Sequence, residues 1–281
     1  MLRLGIRAHD TVKLPLEQTI ENIREQGYCC TQLALKKIIT EFPVNREAMS
    51  PGMAFYMKEI FAKNQVEVAV LGCYLNLANP CQDQLAEIQK TYEAHIRFAS
   101  LLGCGMVGTE TGAVNVEYQF EPENHSEKAL EVFIQNLRPV VSFAEKMGVI
   151  IAVEPVYKHI MYDIGRTRTV LDSINSPNLR VIFDATNVMS VDNYRRQDDI
   201  IEEAFDLLGD EIEVLHIKDF VQKDNEIVSR PVIVGEGNLN LSLLLKLAKA
   251  KKPFIHMLLE DSLPENAAMS KQCIETIYAG V

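Results

Sequence analysis

The chain has 281 residues, is 47% hydrophobic and carries a formal net charge of −11 at neutral pH. That composition supplies a sizeable core, at a length suited to one large barrel or two small domains. The acidic balance excludes a general nucleic-acid or anionic-membrane surface unless a basic patch is hidden by the fold, and no run of about 18 apolar residues suggests a transmembrane helix.

In chain order, residues 3–8 read as a first strand ending at Ala8-His9-Asp10, and the early polar residues argue against a signal peptide. Residues 17–26 form a helix stopped by Gly27, and residues 30–35 a second strand. A second helix lies within 45–64, and an apolar third strand over 66–73 leads into Tyr74-Leu75-Asn76-Leu77. Pro80 breaks the chain before a long helix over 82–102. Met106 and Val107 centre a fourth strand, which runs into Gly108-Thr109-Glu110-Thr111-Gly112, a glycine-bearing loop suited to lie near a ligand. An irregular polar excursion over 115–126 precedes a helix that ends at Met147 and is closed by Gly148.

The fifth strand, 149–153, ends at Glu154. A short helix over 167–174 and a turn over 175–178 lead to the sixth strand, 179–183, which ends at Asp184. A helix follows over 198–208, with Gly209 at its end. The seventh strand, 212–215, ends at His216 and continues as Ile217-Lys218-Asp219. A polar loop over 222–230 leads to Val234-Gly235-Glu236-Gly237-Asn238, and a helix covers 241–250. The eighth strand, 254–259, ends at Glu260, and a last helix covers 265–278. The six cysteines show no metal-type pairs apart from the neighbours Cys29 and Cys30, which fits reduced thiols in a cytoplasmic protein.

Eight apolar strands alternating with about eight helices give an α/β fold, a (β/α)₈ TIM barrel in one domain over 1–281. A doubly wound sheet is the rival, but no Gly-x-Gly-x-x-Gly follows an early strand. In parallel sheets the functional groups sit at the carboxyl ends of the strands. Glu154, Asp184, His216 and Glu260 all end strands, and together they suit a divalent metal ion. Three carboxylates in one barrel mouth without a cation would be costly. Such a site fits proton transfer next to a carbonyl: a metal stabilises the enediolate charge, and a carboxylate on each face of the substrate moves the proton. Glu154 and Glu260 come from different strands and can fill that pair. His9, Asn76, Glu110, His159 and Lys218 are the further candidates for substrate contact, Lys218 because alternation puts it on the face of His216. Arg230 reads as a solvated loop residue, His256 as a core residue low in the eighth strand, His95 as helix surface and His125 as loop. Apolar helical stripes such as Leu130, Phe133, Ile134 and Leu137 read as core.

Val153-Glu154-Pro155, Phe183-Asp184-Ala185-Thr186-Asn187, His216-Ile217-Lys218-Asp219, Val234-Gly235-Glu236-Gly237 and Leu259-Glu260, in that order and spacing, resemble the xylose isomerase-like barrels. That group holds sugar isomerases and epimerases, including ketose 3-epimerases, with metal-dependent apurinic endonucleases as relatives. The resemblance implies that Glu154, Asp184, His216 and Glu260 hold a divalent ion, with manganese first and magnesium, cobalt or zinc as alternatives. It implies that Glu154 and Glu260 also form the acid–base pair. Many relatives carry a histidine three residues after the strand-six aspartate; here Asn187 stands there, as a further substrate-contact candidate. The endonuclease branch needs several extra histidines, and this chain has six in all.

Three functions follow as expectations. The first is a metal-dependent isomerase or epimerase of a small ketose, aldose, sugar acid or polyol. The second is a metal-dependent lyase, dehydratase (inosose dehydratase-like) or hydrolase on the same barrel. The third is a non-catalytic sugar-binding barrel. The expected partner is a small-molecule sugar or polyol, with no nucleic acid and no membrane; a homo-oligomer is compatible. No P-loop is present, so a phosphorylated substrate is not required.

Overall fold

The computed structural model describes residues 2–281 of the chain. Its centre is a closed barrel of eight parallel strands. These are β1 (Arg3–Arg7), β2 (Cys30–Leu33), β3 (Glu67–Gly72), β4 (Met106–Thr109), β5 (Ile150–Val153), β6 (Leu179–Asp184), β7 (Ile212–Ile217) and, after a two-stranded antiparallel hairpin β8 (Val221–Lys223) and β9 (Glu226–Val228), β10 (His256–Leu259). The barrel closes where β1 pairs with β10. Helices α1 (Leu16–Glu25), α2 (Leu35–Ile38), α3 (Pro51–Asn64), α4 (Gln82–Leu102), α5 (Glu127–Met147), α6 (Ile164–Ile174), α7 (Gln197–Leu207), α8 (Leu241–Lys251) and α9 (Ala267–Gly280) form the outer layer. Caps set several of their starts: Ser50, Ser126, Asp163 and Asn240 each accept a hydrogen bond from a first-turn backbone N–H.

Alternation along the strands makes two cores. Side chains such as Ile151, Val153, Val181, Phe183, Leu215, Ile217, Met257 and Leu259 face outward and pack against helix residues such as Phe133, Leu137 and Ile201. The opposite faces meet inside the barrel, where Cys30, Ala69, Val70, Ala152, Ile182, Val214 and Leu258 form a separate apolar plug. The inward positions two residues further along are Glu154, Asp184, His216 and Glu260. The same alternation that fills the barrel therefore sets a polar layer on top of the plug.

The structure corrects several local readings. Phe254 is not strand: it lies in the turn before β10 and is 78% exposed. The polar loop over 222–230 contains the β8–β9 hairpin. Helix α6 starts three residues earlier than the sequence pattern indicates, because Asp163 caps it. His95 is buried in α4, with Nδ1 on the Thr91 carbonyl, and is not a surface residue. His256 sits at the amino end of the barrel beside Arg3 and Glu67 rather than inside the core. Among the described residues, no helix is long and apolar enough to cross a membrane.

Gly108 shows how tightly the plug is filled: a Cβ there would lie 2.6 Å from Val70 Cγ1 and 2.8 Å from Ile182 Cδ1. Gly52, in the first turn of α3, has only the Ser50 hydroxyl, at 3.9 Å, near its virtual Cβ. The two glycines should respond oppositely to alanine. Gly108→Ala is expected to destabilise by about 1–3 kcal/mol through overpacking. Gly52→Ala should be neutral or stabilising by up to about 1 kcal/mol. Urea midpoints at constant slope measure both, and equal midpoints for the two variants would contradict the packing argument.

Candidate metal centre

Each of the eight barrel strands contributes at least one inward polar residue to the layer above the plug. In order around the barrel these are Arg7, Glu260, His216, Asp184, Glu154, Glu110, Tyr74 and Gln32, with Lys218 a further step up from His216. Backbone pairing continues past the strand ends to fix them. Glu154 donates its N–H to the Thr109 carbonyl (2.8 Å), and Glu260 donates to that of Ile217 (3.0 Å). Asp184 and His216 are register partners across β6 and β7.

Glu154, Asp184, His216 and Glu260 are all buried, and one ligand atom from each can be chosen so that all lie within 4.8 Å of one another. Neighbours hold the set. Gln32 Oε1 lies 2.6 Å from His216 Nε2. An amide oxygen can only accept, so Nε2 carries the proton, and in the neutral ring Nδ1 presents its lone pair to the carboxylates. Gln32 in turn donates to the Tyr74 hydroxyl (3.0 Å), which lies 3.5 Å from Glu154 Oε2. Asn187 donates its side-chain amide to Glu154 Oε1 (2.7 Å). The backbone N–H groups of Thr186 and Asn187 donate to Asp184 Oδ1. Arg7 donates to Glu260 Oε1, and the Lys218 ammonium stands 3.1 Å from Asp184 Oδ2 and 3.2 Å from Glu260 Oε1.

Within this set of four residues, two buried oxygens have no hydrogen-bond partner among the described residues: Asp184 Oδ2 and Glu260 Oε2. Lys218 Nζ lies 3.1 Å from the first and His216 Nδ1 2.7 Å from the second, neither in hydrogen-bonding geometry. Orphaned, buried carboxylate oxygens beside an imidazole lone pair are the donor set of a hard or borderline divalent ion, so the four residues could hold one. The balance of charge agrees, since three carboxylates against the Lys218 ammonium and the Arg7 guanidinium leave the centre short of at least one positive charge.

The electrostatics report the same deficit. Burial would lower His216, but Glu154 and Glu260 outweigh it and raise the imidazole to about 10. Burial pushes Asp184 up to about 7, with Glu260 and Glu154 adding to the rise and Lys218 opposing it. Burial would also raise Glu260, yet Lys218, Arg7 and His216 together hold it well below the usual carboxylate range. Lys218 is raised despite its burial, because Asp184, Glu260 and Asp261 surround it.

The candidate contact residues separate into groups. Asn187 and Lys218 touch the centre directly. His9 stands on the β1 side of the mouth, 3.5 Å from the Lys37 ammonium; burial, Arg7 and Lys37 lower it to about 3, so it is neutral. Glu110 and His159 come together on the β4–β5 side, 3.7 Å apart. Asn76 has no capacity left for a ligand: its amide donates to the carbonyls of Ala113 and Asn115 and accepts from the N–H groups of Ala78 and Ala113. It clamps the loop after β3 to the loop after β4. Arg230 is half exposed, 4.0 Å from Asp10. The sequence reading missed Arg7, Gln32 and Tyr74. The rule that singled out Glu154 would have reached them, since each is an inward residue at the carboxyl end of β1, β2 or β3; what concealed them was that Gln, Tyr and Arg are not ligand types.

Asp184→Asn removes one orphaned oxygen and should lower manganese affinity at least about tenfold, while Gln32→Leu, which frees the His216 ring, should cost about 10–100-fold. Calorimetric titration of the metal-stripped proteins measures both. Parent-like affinity in Asp184→Asn would break the assignment of the centre.

Comparison with solved structures places this geometry among known folds. A D-tagatose 3-epimerase-like protein superimposes with a TM-score of 0.76 at 19% identity, over 100% of this chain and 98% of that one. The IOLI protein with a binding zinc atom gives 0.72 at 16%, over 99% and 97%. A probable 3-DHS dehydratase, AsbF, involved in petrobactin synthesis from Bacillus anthracis, gives 0.71 at 12%, over 99% and 99%. At these identities the likeness is one of fold. No functionally curated protein matches the sequence. The sequence does match the xylose isomerase-like TIM barrel family over residues 20–275. Together with the closed parallel barrel, that match assigns the chain to the xylose isomerase-like TIM barrel family.

Proposed function

We propose that this protein is a divalent-metal-dependent isomerase or epimerase of a small ketose, aldose or related polyol, acting as one domain over 1–281. The observation that carries the reading is the convergence of Glu154, Asp184, His216 and Glu260, with two carboxylate oxygens left unpartnered at the barrel mouth. Manganese is the ion of first choice. When bound, such an ion polarises a substrate carbonyl and offsets the negative charge that develops on it.

The protein's own groups supply the proton transfers. Glu154 and Glu260 stand on β5 and β10, with β6 and β7 between them, so they approach a bound sugar from different sides. Arg7 and Lys218 keep Glu260 ionised, which suits a group that removes a proton from the carbon beside the carbonyl. Glu154 is oriented by Asn187 and Tyr74, so it can return a proton from the other side. The substrate then passes through an enediolate and emerges with one centre inverted or its carbonyl moved. His9, His159, Asn187 and Lys218 are the proposed contacts to its hydroxyls.

The test is proton exchange. Manganese-loaded protein is incubated in deuterated water with ketoses, aldoses and inosose, and deuterium at the carbon next to the carbonyl is followed by NMR. Dehydration products are scored in the same spectra, because epimerisation and dehydration begin with the same proton removal. Glu154→Gln and Glu260→Gln should each lower kcat and exchange by about 10²–10⁴ while retaining some metal. A variant with near-parent turnover and bound metal would reduce that residue to a ligand. No exchange in any substrate by the loaded parent would sink the reading.

A further inference from the structure

Four residues in the polar layer are not candidate ligands, and three of them serve one. Arg7 donates to Glu260, Gln32 holds His216 and Tyr74 reaches Glu154. Glu110 hydrogen-bonds none of the four. It nevertheless sits at the level of Glu154 on the adjacent strand, since Thr109 and Val153 are register partners. Keeping a fourth carboxylate beside the three of the centre is electrostatically unfavourable: burial, then Glu154 and Glu260, raise Glu110 to about 7.

The chain builds a support for it. The Tyr118 hydroxyl donates to Glu110 Oε2 (3.1 Å), and the same oxygen lies 3.7 Å from His159 Nδ1. The His159 ring leans on that of Tyr118, with centroids 5.1 Å apart. Tyr118 is held with φ +58, in the left-handed region that an aromatic residue rarely occupies. Two asparagines hold that turn. Asn115 brackets it through the N–H and carbonyl of Gln119. The fully buried Asn124 ties Val114, Gln119 and the Lys158 carbonyl together, joining the excursion to the loop that carries His159. No described residue donates to Glu110 Oε1, and that atom is not buried. His159 Nε2 is likewise unpartnered and accessible. The Glu110 side chain is 30% exposed and follows the carboxyl end of β4, the end of the barrel that carries the centre.

We propose that Glu110 is the substrate-reading carboxylate of this site: with His159 beside it and Tyr118 fixing it, it binds adjacent hydroxyls of an uncharged sugar or polyol and sets which end of the substrate faces Glu154 and Glu260. The proposal rests on the isomerase reading for what happens to that substrate, but not for the binding itself. An accepting oxygen there suits a hydroxyl donor. A phosphate or carboxylate in the same place would meet Glu110 and Glu154 together and be repelled. Tyr118 is a positioning residue, acting through Glu110.

The experiment uses the manganese-loaded full chain and measures binding of D-tagatose, D-fructose, inosose and myo-inositol by calorimetry. Monodeoxy analogues of the tightest binder follow. Glu110→Ala should weaken binding about 10–100-fold, the loss expected for a hydrogen bond to a charged group, without change in metal content. Glu110→Gln, which keeps an amide oxygen, should recover part of it. One deoxy analogue should bind the parent weakly, yet lose nothing further in Glu110→Ala. Tyr118→Phe should weaken binding in the parent but add nothing in the Glu110→Ala background. Parent-like binding by Glu110→Ala would overturn the proposal. So would additive losses for every deoxy analogue, or a parent that binds none of the four compounds. Glu110-dependent binding without any deuterium exchange would support this proposal while sinking the isomerase reading.

Discussion

The centre depends on one constraint: three carboxylates are buried within 4.8 Å of one another and of an imidazole. Desolvation by itself favours the protonated form of a buried carboxylate, as at Asp184. The surrounding chain supplies what keeps them useful. Lys218 spans Asp184 and Glu260, Arg7 reaches Glu260, and backbone amides cover the inner oxygen of Asp184. These groups leave two carboxylate oxygens of the set uncovered, where a cation could bind. Glu154 meets His216, Asn187 and Tyr74 but neither Lys218 nor Arg7, so the two proposed proton carriers work in different electrostatic settings.

Rigid backbone is what makes such a set of charges tolerable. Parallel register and alternation place the four candidate ligands, and the apolar plug beneath them, packed closely around Gly108, resists collapse. Buried polar residues hold the loops above the strands. Asp219 accepts from the N–H groups of Phe220, Gly235, Gly237 and Leu239. A Cβ on Gly237 would lie 2.2 Å from Asp219 Oδ1, so the Gly-Glu-Gly segment is shaped to wrap a carboxylate. Asn76 and Asn124 do comparable work for the loops after β3, β4 and β5. Of these three, Asn76 reads as a contact candidate in the sequence, yet its hydrogen bonds, like those of Asp219 and Asn124, go to backbone.

The mouth is also asymmetric. On the β1 side, His9 is kept neutral among Arg7, Lys37 and Arg230. On the β4–β5 side stand Glu110, Tyr118 and His159. The two sides therefore differ: on one, Arg7 and Arg230 are paired with Asp10, Glu260 and Asp261, while on the other Glu110 has no cation partner. The β8–β9 hairpin completes the wall near Asn187 and Ser229, where an open cavity of about 320 Å³ lies over the loops after β5 and β6.

The sequence by itself determined the strand–helix alternation, the closed-barrel fold class and the four residues that converge at the mouth. It could do so because parallel strands are apolar on both faces, so a polar residue at a strand end stands out against its run, as Glu154 does after Val149-Ile150-Ile151-Ala152-Val153. Only the tertiary structure decided the rest. It placed Arg7, Gln32 and Tyr74 around ligands from which they are separated by 253, 184 and 80 residues. It assigned Asn76 to a loop clamp and put Phe254 in solvent. Nothing local to the chain distinguishes a glutamine that orients a histidine from one that faces water. That difference arises only when barrel closure brings distant strand ends into one ring, and long-range pairing of this kind leaves no periodic mark in the sequence.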